Sequence, residues 1–179
     1  MKHQVNKAVF LDRDGVINEV KTKRVKFVNR PDELYLLQGV PEAIKKLNDA
    51  GYKVFVVTNQ GGVGLGYMTE DELNIIHEHM AKELAKQGAQ ITEIMACTHA
   101  PHENCYCRKP NPQMILDLIE DYDIDIMKSY MIGDREPDIE AGNAAGIKSL
   151  MVVDTTPEAY KCFKDLSEAV DWILEDEKA

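Results

Sequence analysis

The 179-residue sequence has no apolar run near the roughly 18–20 residues that a bilayer-crossing helix requires, so no membrane-spanning helix is expected. Positive charge is also in short supply: 21 Lys and Arg stand against 31 Asp and Glu, a formal net charge of −10. Proteins that hold nucleic acid by neutralising its phosphates carry a basic face that releases counterions, so a nucleic-acid partner is not expected either. The opening stretch, MKHQVNKAVFLDRDG, has neither the apolar core nor the small-residue cleavage site of a secretory signal, which leads to the expectation of a cytoplasmic protein. Internal repeats and low-complexity linkers are missing. Cysteine is scarce, but three of the four cysteines fall between positions 97 and 107. In a reducing compartment such clustering points to metal before disulfide.

What is present suits one globular domain over residues 1–179, with 44% hydrophobic and 29% charged residues and a length sufficient to bury a core. A monomer acting on a small molecule is expected. The run 7–12 (KAVFLD) reads as a buried strand that ends in charge and glycine. Residues 41–50 have helical spacing at Ala43, Ile44 and Leu47 and stop at Gly51. YKVFVVTNQ follows as a second buried strand, then the glycine-rich loop GGVGLG. A helix is expected over 69–86, opened by the capping-box pair Thr69 and Glu72. ITEIMAC is a third strand, 98–112 an irregular loop, and 113–122 a helix. SYMIG, residues 137–145, IKSLMVV and residues 166–175 complete the alternation as strand, helix, strand, helix. Alternation of this kind implies a parallel sheet with helices on both faces, an α/β fold.

Ligands of open parallel sheets bind beyond the carboxyl ends of the strands, where the strand order reverses. Asp12-Arg13-Asp14-Gly15, Thr58-Asn59-Gln60-Gly61 and Gly133-Asp134-Arg135 stand immediately after the first, second and fourth strands. A phosphate ester repels nucleophiles through its own oxygens, so its hydrolysis needs charge neutralisation, an in-line nucleophile and a proton for the leaving group. Asp12 can attack phosphorus, and Asp14 can protonate the leaving oxygen and then deprotonate water. Mg²⁺ suits the site, with Asp12 and Asp134 as side-chain ligands and the Asp14 carbonyl as a third. Thr58 and the N–H groups of the Asn59, Gln60 and Gly61 loop can bond phosphoryl oxygens, and Lys109 can neutralise both the nucleophile and the transferring group. Each motif alone has an ordinary reading as a turn or helix cap; their combination in this order is what carries the assignment.

FLDRDGV, VVTNQ, RKP and IGDREPD together resemble the four motifs of the haloacid dehalogenase superfamily of phosphatases, over about residues 9–138. The resemblance implies an aspartyl-phosphate mechanism and a role for Asp138 in orienting the metal shell. The loop CTHAPHENCYCRKP offers Cys97, His99, Cys105 and Cys107 as a closed tetrahedral shell for structural Zn²⁺, with His102 as the rival fourth ligand. Such a staple over 97–107 would fix Arg108 and Lys109 above the phosphate. A Cys105–Cys107 disulfide is disfavoured by ring strain, and Cys162, outside the pattern, reads as a buried small hydrophobe.

This loop is similar to that of a narrower branch, the heptose 1,7-bisphosphate phosphatases and histidinol-phosphate phosphatases, which have no large cap domain. FLDRDGVIN, VVTNQ and GYMTEDEL most resemble the heptose bisphosphate enzymes. That implies removal of the 7-phosphate, with Arg108 and Arg135 recognising substrate. Leu65 departs from the arginine usual in that family, and the zinc-loop spacing equally suits histidinol-phosphate phosphatases. A zinc-stapled binding module without turnover is the reading from another class, against which intact Asp12, Asp14, Lys109 and Asp134 count.

Overall fold

AVFL forms β1 (Ala8–Leu11) and KVFVVTN forms β2 (Lys53–Asn59), both buried along almost their whole length. A computed structural model, which describes residues 6–178, shows how the period of two in these strands serves two cores. Val9, Leu11, Val54 and Val56 pack on one face with apolar residues of α1 (Val40–Asp49), α2 (Glu70–Ala85) and α5 (Leu166–Glu177). Ala8, Phe10, Phe55 and Val57 pack on the other with α3 (Gln113–Asp121) and α4 (Glu136–Ala144). Phe10 and Phe55 stack there with ring centroids 5.2 Å apart.

The remaining strands are β3 (Glu93–Cys97), β4 (Tyr130–Gly133), β5 (Lys148–Val152) and β6 (Lys161–Phe163). All pair in parallel, in the order β3-β2-β1-β4-β5-β6. β1 therefore lies between β2 and β4, and the chain leaves it toward one side first and the other later. The crevice beyond its carboxyl end is the binding position expected of such sheets. Between β1 and β2 the structure has a 3-10 turn at Pro31–Glu33 and α1, with no further helix or strand that could build a large cap. No helix among the described residues is long and apolar enough to cross a membrane.

Capping places the helices as the sequence suggests. Thr69 Oγ1 accepts from Glu72 N–H at 3.1 Å, and Glu72 Oε1 accepts from Thr69 N–H at 2.9 Å, so two orphan donors at the start of α2 are satisfied reciprocally. Asp165 does half of this for α5, accepting from Glu168 N–H at 3.0 Å.

The sixth strand is a finding the sequence pattern does not announce, because three residues are too few to establish a period. It corrects the expectation for Cys162. On an edge strand with a neighbour on one side only, this residue is half-buried, and its thiol donates to the Thr156 carbonyl at 3.7 Å.

Candidate active site

Three acids and a lysine meet at the ends of the central strands. Asp12 follows β1, Asp134 follows β4 and Asp138 stands in the first turn of α4, and one carboxylate oxygen from each lies within 4.8 Å of the others. Lys109 Nζ uses three donors, at 2.9 Å to Asp12 Oδ1, 2.6 Å to Asp138 Oδ1 and 2.8 Å to the Val57 carbonyl. Asp12 Oδ1 also accepts from Arg13 N–H at 2.8 Å, which fixes the carboxylate plane.

One ammonium does not balance three acids. Burial pushes the Asp12 carboxyl up to about 8; Lys109 pulls it down, while Asp138, Asp14 and Asp134 add to the rise. Burial, with the charge of Asp138, pushes Asp134 up to about 6. Burial disfavours the charged form of Lys109, yet Asp12 and Asp138 outweigh it and hold the ammonium above its usual range. Asp134 Oδ1 is buried without a hydrogen-bond partner among the described residues. An all-oxygen donor set with surplus negative charge and an orphaned oxygen fits a hard divalent cation such as Mg²⁺. Gly15 leaves the room: its φ is +84°, and a Cβ there would collide with Asp134 Oδ2.

Asp14 is held differently. Its Oδ1 accepts from Arg13 Nε at 2.9 Å, Arg13 Nη2 at 2.8 Å and Asn18 Nδ2 at 3.1 Å. Its Oδ2 accepts from Gln60 Nε2, at 3.2 Å. Burial pushes this carboxyl up, but the Arg13 charge and the bonds from Asn18, Arg13 and Gln60 more than offset it, leaving Asp14 below the usual carboxylate range. Gln60 Nε2 also donates to Thr58 Oγ1 at 2.8 Å, which leaves the buried Thr58 hydroxyl hydrogen available to an incoming oxygen.

Sequence-predicted contacts are thus brought together, though not all as direct substrate contacts. The Gln60 amide nitrogen is engaged with Asp14 and Thr58. Asn59 grips the Lys109 backbone, accepting its N–H at 2.9 Å and donating to its carbonyl at 3.1 Å. Asp138 both carries Lys109 and accepts from Arg135 N–H at 3.2 Å. Arg108 and Arg135 line the cavity, of about 610 Å³, together with Asp12, Asp14 and Asp134. Arg108 Nη1 is likewise buried without a hydrogen-bond partner among the described residues. A neighbouring space of about 510 Å³ shares Arg108 and Arg135 and is walled by Phe27, Gly61, Leu65 and Tyr67.

Several residues at the site are not evident from the motifs. Lys21 and Phe27 line the cavity from a stretch with no periodicity to draw attention to it. Arg13 and Asn18, which stand inside FLDRDGVIN but carry no role in the sequence reading, and His77 are buried polar groups around Asp14. His77 left a trace in the sequence, since it sits among Leu73, Ile76, Met80 and Leu84 on the apolar stripe of α2.

The cysteine loop is only partly assembled as expected. Sulfurs of Cys97, Cys105 and Cys107 lie within 4.8 Å of one another. Cys97 and Cys107 are joined as a disulfide, with Cα atoms 5.7 Å apart, a pairing not expected from the sequence. Cys105 Sγ lies 3.4 Å from Cys97 Sγ and 3.8 Å from Cys107 Sγ. His99 is not with them: its Nδ1 faces Glu103 Oε2 at 3.6 Å. His102 stands exposed in the 3-10 turn Pro101–Glu103.

Comparison with known proteins adds a lineage to this geometry. A family model described as haloacid dehalogenase-like hydrolase matches residues 4–146. A Helicobacter pylori strain J99 protein named D-glycero-beta-D-manno-heptose-1,7-bisphosphate 7-phosphatase is 37% identical over 173 residues, 94% of this chain and 97% of its own. A Photorhabdus laumondii protein named for the alpha anomer is 36% identical over 162 residues, 87% of this chain and 86% of its own. The crystal structure of the Bordetella bronchiseptica D,D-heptose 1,7-bisphosphate phosphatase, complexed with magnesium and phosphate, superposes with a TM-score of 0.87 at 32% identity, covering 96% of this chain and 99% of that one.

Proposed function

This chain belongs to the haloacid dehalogenase-like hydrolase family, and from that membership we propose that it is a magnesium-dependent phosphatase acting through an aspartyl-phosphate on Asp12. The proposed substrate is D-glycero-D-manno-heptose 1,7-bisphosphate, with the 7-phosphate removed. The observation that supports the chemistry most is the cluster of buried Asp12 and Asp138 with half-buried Asp134 around Lys109 at the ends of the strands.

Asp12 and Asp134, with the Asp14 carbonyl, would hold Mg²⁺, which when bound supplies neutralisation of the charge gathered between carboxylates and phosphoryl oxygens. Asp12 attacks phosphorus in line while the bond to the ester oxygen breaks, and the proton on Asp14 goes to that departing oxygen. Asp14 is ionised in the free protein. The arriving phosphate dianion, a like charge, raises its proton affinity and so favours the acid form when it is needed. Asp14 then takes a proton from the water that attacks the phosphorylated Asp12, releasing inorganic phosphate. The Thr58 hydroxyl would donate to an oxygen of the transferring group, and the Lys109 ammonium, its three N–H groups given to Asp12, Asp138 and the Val57 carbonyl, would act on that group through its charge.

Substrate choice rests on the named relatives and on the rim. Arg108 and Arg135 can take a second phosphate, for which guanidinium forks are suited. Relatives named for either anomer match about equally, so the proposal is made for the bisphosphate without an anomer. Leu65, where the family usually has arginine, joins Phe27 and Tyr67 to give the neighbouring space an apolar wall.

Zn²⁺ is proposed for the cysteine loop. Three clustered sulfurs are a soft donor set suited to it, with Cys97, Cys105 and Cys107 reduced and His99 turned from Glu103 to complete the shell. The deciding experiment for substrate compares kcat/KM on heptose 1,7-bisphosphate and on histidinol phosphate. Preference for the bisphosphate is expected; preference for histidinol phosphate would overturn the assignment.

A further inference from the structure

Arg13 is the largest side chain that the fold buries completely, and it is charged. Such a group requires partners, since a buried guanidinium without them is strongly destabilising. Nε and Nη2 both reach Asp14 Oδ1. On the far side, Nη1 lies 3.1 Å from His77 Nε2. Arginine has no acceptor, so His77 must accept here through Nε2, which leaves the ring proton on Nδ1. Burial, with the Arg13 charge beside it, pushes His77 down to about 4, consistent with a neutral ring that accepts.

The bonds on Asp14 are unevenly divided, and the division has a chemical consequence. Oδ1 is saturated by two Arg13 donors and Asn18, whereas Oδ2 receives a single longer bond from Gln60. The proton that Asp14 transfers therefore belongs on Oδ2, the oxygen with a free lone pair. Keeping that assignment depends on the guanidinium staying where it is. Its outer edge is tied to α2 through His77.

We propose that His77 is a positioning residue for proton transfer: by accepting from Arg13 Nη1 it locks the guanidinium onto Asp14 Oδ1 and so reserves Oδ2 for the leaving-group oxygen. The inference rests on the reading of Asp14 as the proton donor. It requires no particular natural substrate, because the donor acts on any ester oxygen.

The test uses aryl phosphates of graded leaving-group basicity, from p-nitrophenyl to phenyl phosphate, since a good leaving group departs without a proton and a poor one does not. In His77→Leu, kcat/KM for phenyl phosphate is expected to fall roughly 10-fold, of the order seen when the partner of a functional ligand is removed, with a loss under about 3-fold for p-nitrophenyl phosphate. His77→Gln, which keeps an acceptor within reach of Nη1, is expected to restore both. Should the leucine variant fail to fold, His77→Asn, polar but too short to reach, carries the same expectation. Asp14→Asn is measured alongside: if it shows no dependence on the leaving group, the role of Asp14 itself fails. Equal losses on both esters in His77→Leu, or no loss, with Asp14→Asn behaving as a proton-donor variant, would overturn the inference about His77 alone.

Discussion

Lys109 Nζ lies 2.6 Å from Asp138 Oδ1, closer than its 2.9 Å approach to Asp12 Oδ1. The lysine is thus anchored on the helix α4 and leans on the acid after β1, a geometry that keeps its charge beside Asp12 without consuming that carboxylate. Removing it leaves three acids facing one another.

Lys109→Met is accordingly expected to destabilise the metal-free protein by about 3–5 kcal/mol, the cost of breaking a buried pair. Added Mg²⁺ should recover part of that loss, because a bound cation replaces the missing charge. Urea unfolding with and without Mg²⁺ measures both quantities. A variant as stable as wild type in chelator would contradict the electrostatic reading.

Acid should weaken the fold through His77. Its pKa is about 4 in the folded protein against the ordinary 6.5, so as pH falls the unfolded chain binds the proton first. The contribution is intact above pH 6.5 and is lost between 6.5 and 4, roughly 3 kcal/mol in total. Wild type should therefore lose more stability than His77→Gln between pH 7 and pH 4.5. Parallel denaturant curves for the two across that window would be the contrary result.

Metal analysis of protein purified under reducing conditions should find about one zinc per chain. Cys105→Ser should lower that content, together with kcat, because the loop leads directly into Arg108 and Lys109. Full activity in a zinc-free preparation would remove the staple from the account.

The convergence of the strand-end residues was readable because its signals are local. Buried strands ending in Asp12, in Thr58-Asn59 and in Gly133-Asp134 imply the sheet, and the sheet implies the convergence. The start of α2 was readable from Thr69 and Glu72. The supports were not, since their partners are distant in sequence: Asn59 meets Lys109 and His77 meets Arg13 only after β1, β2 and α2 are packed. Gln60 shows the limit well: its backbone N–H, expected at the phosphate, is given to the Cys97 carbonyl at 2.8 Å, and its side-chain amide goes to Asp14 and Thr58. The cysteine loop shows it again. Spacing brought the three sulfurs to attention, yet the approach of His99 Nδ1 to Glu103 Oε2 depends on the local fold of the 3-10 turn.

Asp12 as the nucleophile is the claim on which everything else depends. Acid quenching during turnover of heptose 1,7-bisphosphate or p-nitrophenyl phosphate, followed by borohydride reduction and peptide mass mapping, reads it directly, since an acyl phosphate at residue 12 is reduced to homoserine. The account predicts homoserine at position 12 in turning-over protein and none without substrate. Undiminished turnover with Asp12 unmodified and another residue reduced, or an active Asp12→Asn variant, would contradict it.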